Sequence, residues 1–259
     1  MKKLRDKLIV SVIAFLLIML FSPLIVTAQI TITEIKLKPD SDFQKDKNAT
    51  IIYPVISTNN KVVDDKINFT ILKELTLDDS ATDITKTLIS GMNTTLSELD
   101  YSLTLKGKDI ISLTLSGMGC GAYCSSWKLY FNFDLLTGDL IKIEEVISKS
   151  ELESFRNMVL KDKLKALQEY KKELDSSLAV KSMDAVDIKA AKDYIDEHCV
   201  EQVNIKMFSL SPEGLEIMDN CEFPHFMRNM QPVYHLKYSY KQLGRLINPG
   251  FTKKLKVVL

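Results

Sequence analysis

The chain has 259 residues, with 34 basic and 34 acidic side chains and no formal net charge. That balance gives no basic surface of the kind nucleic-acid binding needs, and the length suits one large domain or two small, closely packed ones. Nine glycines and seven prolines beside 46% hydrophobic residues describe a chain that packs a core rather than a disordered tail.

The N-terminus is the most informative segment. Lys2, Lys3, Arg5 and Lys7 precede an apolar run over residues 8–21, Ser22 and Pro23 interrupt it, and Val26-Thr27-Ala28 follows. A basic start, apolar middle and small-residue exit are the parts of a bacterial-type secretory signal. The pattern predicts a signal peptide over residues 1–28 and a mature, weakly acidic module over residues 29–259, with sub-segments 29–116 and 117–259. The competing possibility is an uncleaved anchor, because a spanning helix needs about 20 apolar residues. Pro23 and the cleavage-like Val-Thr-Ala favour removal. If uncleaved, this segment is the only expected membrane attachment. The expected location is periplasmic or extracellular. Three glycosylation sequons, at Asn48, Asn68 and Asn93, fall in Asn- and Thr-rich sequence and are read as chance.

Alternation predicts a first strand over residues 30–38 and a second over 50–56, where Pro54 points to an edge or a bulge. Val63, Ile67, Ile71 and Leu75 repeat every four residues, which predicts a helix over 59–75. Tyr101, Leu103 and Leu105 alternate with polar residues, Gly107-Lys108 breaks the run, and Ile111, Leu113 and Leu115 resume it. This is a hairpin pattern. Trp127, Leu129, Phe131 and Phe133 form a further strand ending at Leu136-Thr137-Gly138-Asp139, and alternation turns Trp127 and Phe131 inward with Lys128 and Asn132 outward.

The period then changes. Ser150 and Glu153 have capping-box spacing, and Leu152, Phe155, Val159, Leu164, Leu167 and Leu174 follow at helical spacing. A second helix starts near Asp184 with Ile188, Ala191, Ile195 and Cys199 on one stripe. The charged residues between these positions read as solvated helix surface. Short strands return over 204–210, 215–218 and 233–238, and 253–259 reads as an edge strand or a tail. Strands, helices and strands again, without regular βαβ alternation, predict an α+β fold: an antiparallel or mixed sheet with a long central helical segment packed on it.

Cys120, Cys124, Cys199 and Cys221 allow three pairings. In an oxidising compartment disulfides are the default. Cys120 with Cys124 is favoured because the adjoining glycines permit a tight turn, and Cys199 with Cys221 because it would tie a helix to the returning sheet. The alternative is a zinc site drawn from Cys120, Cys124, Cys221 and His225, but C-x3-C is not the usual knuckle spacing. A cysteine hydrolase would need a free thiol beside one of three histidines. His198 ends a helix and His235 lies in a strand, which leaves His225, in the loop 220–232, with a surface role. That loop also carries Phe223, Phe226, Met227, Arg228 and Met230, residue types favoured at interfaces. Core covering explains Phe223 and Phe226 equally well.

Phe131-Asn132-Phe133-Asp134-Leu135, then Thr137-Gly138 and Ile143-Glu144-Glu145-Val146, resembles the central signature of the RsiV-like family. Tyr53-Pro54-Val55-Ile56 resembles the family's preceding segment, and Phe208-Ser209-Leu210, Gly214-Leu215, Tyr238-Ser239-Tyr240 and Leu243 its C-terminal segment. The resemblance implies an extracytoplasmic α+β module of the kind found outside a lysozyme-sensing anti-sigma factor and ahead of a peptidoglycan deacetylase. Neither the anti-sigma segment nor the deacetylase domain is matched here. Cys120, Cys124, Cys221 and His225 depart from the family pattern.

Together these observations lead to an exported, non-catalytic envelope binding or sensing module for a lysozyme-like protein or a peptidoglycan fragment. No catalytic residue, cofactor or metal is assigned and no nucleic-acid partner is expected. The alternatives are a secreted hydrolase or zinc protein using the Cys and His residues, and a structural envelope protein. The candidate binding residues are Tyr123, His225, Phe226 and Arg228, on two strand-connecting loops, 117–123 and 220–232, expected at one end of the sheet.

Overall fold

A computed structural model describes residues 30–38, 50–121, 124–179 and 184–255. Five strands, β1 (Thr31–Leu37), β2 (Ile51–Ser57), β3 (Leu96–Lys106), β4 (Ile110–Cys120) and β5 (Cys124–Asp134), form one sheet in sequence order. All neighbours are antiparallel except β2 and β3, which meet in parallel at Ile51↔Leu99. A parallel pair needs a crossover, and helices α1 (Lys61–Thr76) and α2 (Ile84–Met92) supply it. β2 lies between β1 and β3: it pairs with β1 along its whole length, Pro54 opposite Glu34, and meets β3 at that one register pair, so Pro54 sits in an inner strand and not at the expected edge or bulge.

The four-residue repeat in α1 has the expected result. Val63, Ile67 and Ile71 are buried with Tyr53, Ile56, Leu113, Leu115 and Phe133 in the core beneath the large sheet. Asn60 caps the helix, its side chain accepting from Val62 N at 3.2 Å. Helix α2 has no counterpart among the predicted elements. It is nine residues long, and only Leu88 and Met92 of its apolar side chains are buried.

The opposite face of the large sheet carries a second assembly. The short α3 (Ile143–Val146) leads to α4 (Leu152–Ala179), of 28 residues, and α5 (Ala185–His198). Next come three short antiparallel strands, β6 (Phe208–Leu210), β7 (Gly214–Ile217) and β8 (Leu236–Ser239), in sequence order. Helices α6 (Tyr240–Leu243) and α7 (Pro249–Leu255) end the described chain. Phe155 and Val159 of α4 share a core with Leu210, Leu215, Leu236 and Tyr238 of the small sheet. The fold is therefore α+β, with a large sheet, a long helix and a small second sheet. The 116/117 division falls inside β4, so the two sub-segments share one sheet.

Several expectations need correction. The strand expected over 204–210 is only Phe208–Leu210, and the one over 233–238 starts at Leu236. Where residues 253–259 read as an edge strand or a tail, the described part is the end of α7, with Phe251 and Leu255 buried; residues 256–259 lie outside the described residues. On β5, Phe131 is buried and Lys128 exposed as alternation requires, but Trp127 is only half-buried. Asn132 does point to the opposite face, yet it is buried, because that face is covered there by β6. Lys163, expected on the solvated side of α4, is also buried.

The cysteines pair as the spacing favoured, Cys120 with Cys124 and Cys199 with Cys221, with Cα separations of 4.0 and 5.3 Å. The first bond joins directly opposed residues of β4 and β5. The second ties the C-cap of α5 to the loop after β7, where Phe223, Met227 and Met230 pack with Leu167, Leu174 and Ile195. Such bonds persist in oxidising compartments, so the cross-links are those of an exported protein. The predicted signal, residues 1–28, lies outside the described residues, and no described helix is long and apolar enough to cross a membrane.

Candidate functional site

The outer face of β3–β5 is built from polar residues in cross-strand rows. Antiparallel register places Asp100, Ser116 and Lys128 in one row and Ser102, Thr114 and Tyr130 in the next. The row after that, Ser112 and Asn132, is where the small sheet attaches. Asn132 Nδ2 donates to Phe208 O at 2.8 Å, and Leu210 N donates to both Ser112 Oγ (3.1 Å) and Asn132 Oδ1 (3.2 Å). Ser209 Oγ donates to Thr104 Oγ1 at 2.9 Å, and Thr104 Oγ1 to Ser112 Oγ at 2.7 Å. Buried polar groups are tolerated when they are paired in this way.

Above this attachment the two sheets diverge and leave a half-open cleft of about 770 Å³. Its floor is the outer face of β3–β5. Its wall is the end of β7, the segments on either side of the loop 220–232, and the start of β8. The volume lies within the usual range of ligand sites. Glu98, Asp100, Ser102 and Lys128 are exposed along the floor, while Tyr130 is half-buried.

Charge in the wall is organised into two groups. Glu216 Oε1 lies 2.8 Å from His235 Nδ1, and Glu216 Oε2 lies 3.6 Å from Lys237 Nζ. Asp219 is buried and takes three partners: Lys163 Nζ at 2.8 Å, Tyr234 Oη at 2.9 Å and Asn204 N at 2.8 Å. Burial raises the pKa of Tyr130, with the charge of Glu216 adding to the effect. Burial also raises Tyr234, assisted by Asp219 through its charge and its hydrogen bond. Both phenols therefore stay neutral donors at ordinary pH.

The pairing of His235 with a carboxylate is the geometry of an oriented base, but the rest of the hydrolase constellation is not assembled from cysteine. All four sulfurs are in disulfides and offer no thiolate to attack a substrate or bind zinc. The arrangement suits binding: hydroxyls, carboxylates, phenols and amines presented on a rigid sheet.

Of the candidate binding residues, Tyr123 lies outside the described residues. His225 opens a 3-10 turn (His225–Met230) that also holds Phe226 and Arg228. Phe226 is 81% exposed and Arg228 is exposed, and neither lines the cleft. Residues 117–120 of the first expected loop belong to β4 rather than to a loop. Gly117 and Met118 lie on the floor, with Asn220, Gln231 and Pro232 on the wall. The floor residues do not stand out in the sequence, because outward positions of alternating strands look solvent-facing until the wall opposite is placed. The available signal was the run of hydroxyls at Ser102, Thr104, Ser112, Thr114, Ser116 and Ser126 on three consecutive strands.

No protein-family model matches the chain, and no curated protein does. Solved structures do resemble it. A member of the DUF3298 family from Bacteroides fragilis superposes with a TM-score of 0.58 at 12% identity, covering 89% of this chain and 98% of that one. A DUF3298 family protein from Pseudomonas aeruginosa gives a TM-score of 0.52 at 13% identity, covering 86% and 96%. At such identities the likeness establishes the fold.

Proposed function

We propose that the chain is an exported, non-catalytic binding module of the bacterial cell envelope. Its ligand is a lysozyme-like protein or a peptidoglycan fragment, held in the cleft between the two sheets. The observation that carries this is the cleft itself, a rigid polar floor opposed by a wall tied down through Asp219 and the Cys199–Cys221 bond. Support comes from the resemblance of the sequence to the RsiV-like family, since DUF3298 proteins are related to that fold. The signal-like N-terminus supports a location in the periplasm or outside the cell, with attachment by residues 1–28 if they are retained. Phe226 and Arg228, exposed beyond the cleft, add a rim to it, and Tyr123 and His225 stay candidates from the sequence alone.

The test is co-sedimentation of the purified, disulfide-bonded chain with peptidoglycan sacculi, together with capture of a lysozyme-type enzyme on the immobilised chain. Saturable binding to either is the expected result, weakened by more than about 1 kcal/mol in at least one of the single alanine variants of Glu98, Asp100, Lys128, Phe226 and Arg228. Absence of binding to both would remove this function.

A further inference from the structure

We infer that the cleft takes a saccharide chain containing N-acetylated amino sugars, an inference that rests on the envelope-binding function and names its ligand class. Three observations converge on it. The first is the donor set of the floor. Ser102, Thr114, Ser116 and Ser126 each present a hydroxyl that can both donate and accept. A polyol has the same dual requirement at every hydroxyl, whereas an apolar ligand would leave these groups unpaired at a cost.

The second is charge. Glu216 is matched by His235 and Lys237, and Asp219 by Lys163. Among the described residues, those that face the cleft without an ion pair are Glu98 and Asp100 on β3 and Lys128 on β5. Such a mixed set makes no strong field of one sign, so it does not steer a highly charged protein. It does offer local acceptors for sugar hydroxyls and an amide N–H, and a donor for an amide carbonyl. An acetamido sugar carries all three groups.

The third is shape. The cleft is half-open and floored by a paired sheet, with apolar surface from Pro232, Met218 and the Tyr130 ring beside the polar rows. A chain of rings with alternating polar edges and apolar faces fits that lining better than a compact metabolite.

The experiment is titration of the purified, disulfide-bonded chain with the β-1,4 tetramer of N-acetylglucosamine, with maltotetraose as the control sugar. The only tryptophan, Trp127, borders the cleft and reports binding by fluorescence, and calorimetry provides a second readout. The expected result is saturation below about 1 mM for the acetylated tetramer and at least about tenfold weaker binding of maltotetraose. Asp100→Ala and Lys128→Ala should each weaken the tetramer at least about fivefold without lowering the melting temperature, since both side chains are exposed. No saturation by about 10 mM overturns the inference. If sacculi or a lysozyme-type enzyme still bind in that case, envelope binding stands and only the saccharide assignment falls. Tetramer binding unchanged in both variants places the sugar elsewhere and overturns the cleft assignment.

Discussion

Lys163 and Asp219 lie 2.8 Å apart with side chains only 4% and 6% exposed, so an ion pair from the middle of α4 is sealed behind the wall of the cleft. Lys163 also donates to Gln202 O at 2.6 Å, and Asp219 holds Asn204 and Tyr234. Removing one member of such a pair leaves the other charged and dry. Lys163→Met should therefore lose about 3 kcal/mol of stability, measured by urea unfolding at neutral pH. A loss below about 1 kcal/mol would show the pair to be no stronger than a surface one.

Two close approaches to glycine give a paired prediction. A Cβ on Gly117 would stand 2.2 Å from the Trp127 ring, and one on Gly214 would stand 2.0 Å from the Tyr238 carbonyl oxygen. A ring can swing aside; a carbonyl within a paired strand cannot. Gly117→Ala should cost about 1–3 kcal/mol and shift the emission of Trp127 to the red. Gly214→Ala should cost more and leave that emission in place. Equal costs with unchanged fluorescence would contradict the packing described here.

The disulfides should contribute unequally. Loop closure in the unfolded chain favours the bond with the longer span, and the separations are 22 residues for Cys199–Cys221 and 4 for Cys120–Cys124. Replacing both cysteines by alanine should cost about 3 kcal/mol for the first bond and about 2 kcal/mol or less for the second. The second has less to add because strand pairing already closes that hairpin. A reversed order in thermal unfolding would refute this.

Alkaline pH should destabilise the protein through its tyrosines. Burial raises the pKa of Tyr53 and Tyr238 in the folded state, and the charge of Asp162 adds to the effect at Tyr238. Unfolded tyrosine titrates near 10. The unfolded chain therefore releases these protons first, so the contribution of these two tyrosines to folding stability is constant below pH about 10 and is lost as the pH rises above it. Phenolate absorbance at 295 nm should show these two side chains ionising only on unfolding, and an early, reversible transition of all nine tyrosines would contradict it.

Periodicity made most of the first half legible. The α1 stripe and the strand alternations each bury one face against a core, and burial is what leaves a pattern in sequence. The same patterns could not show where a polar face is covered. Asn132 and Ser112 look like solvent-facing strand residues until β6 is placed over them, and Lys163 looks like helix surface until Asp219 comes within reach, 56 positions away in the chain. Short elements escaped for a related reason: α2 and α7 bury two apolar side chains each, too few to set a period. The cleft was legible only as a row of hydroxyls whose significance depends on the wall opposite, and that wall comes from residues more than 80 positions later.

The attachment through Asn132 has a consequence for the behaviour of the protein at high concentration. β6 is an outer strand of its sheet, and the outward backbone groups of Phe208 and Leu210 are the ones another chain would use to add a strand. The Asn132 amide occupies Phe208 O and Leu210 N as a neighbouring strand would, with a side chain that ends there and cannot extend the ladder. Self-association along that border is blocked for as long as the two sheets stay together. An Asn132→Leu variant, which keeps the branched shape, leaves Phe208 O without its partner and Leu210 N with Ser112 Oγ alone; it should gain a concentration-dependent tendency to form β-rich oligomers, detectable by light scattering before any loss of helical signal.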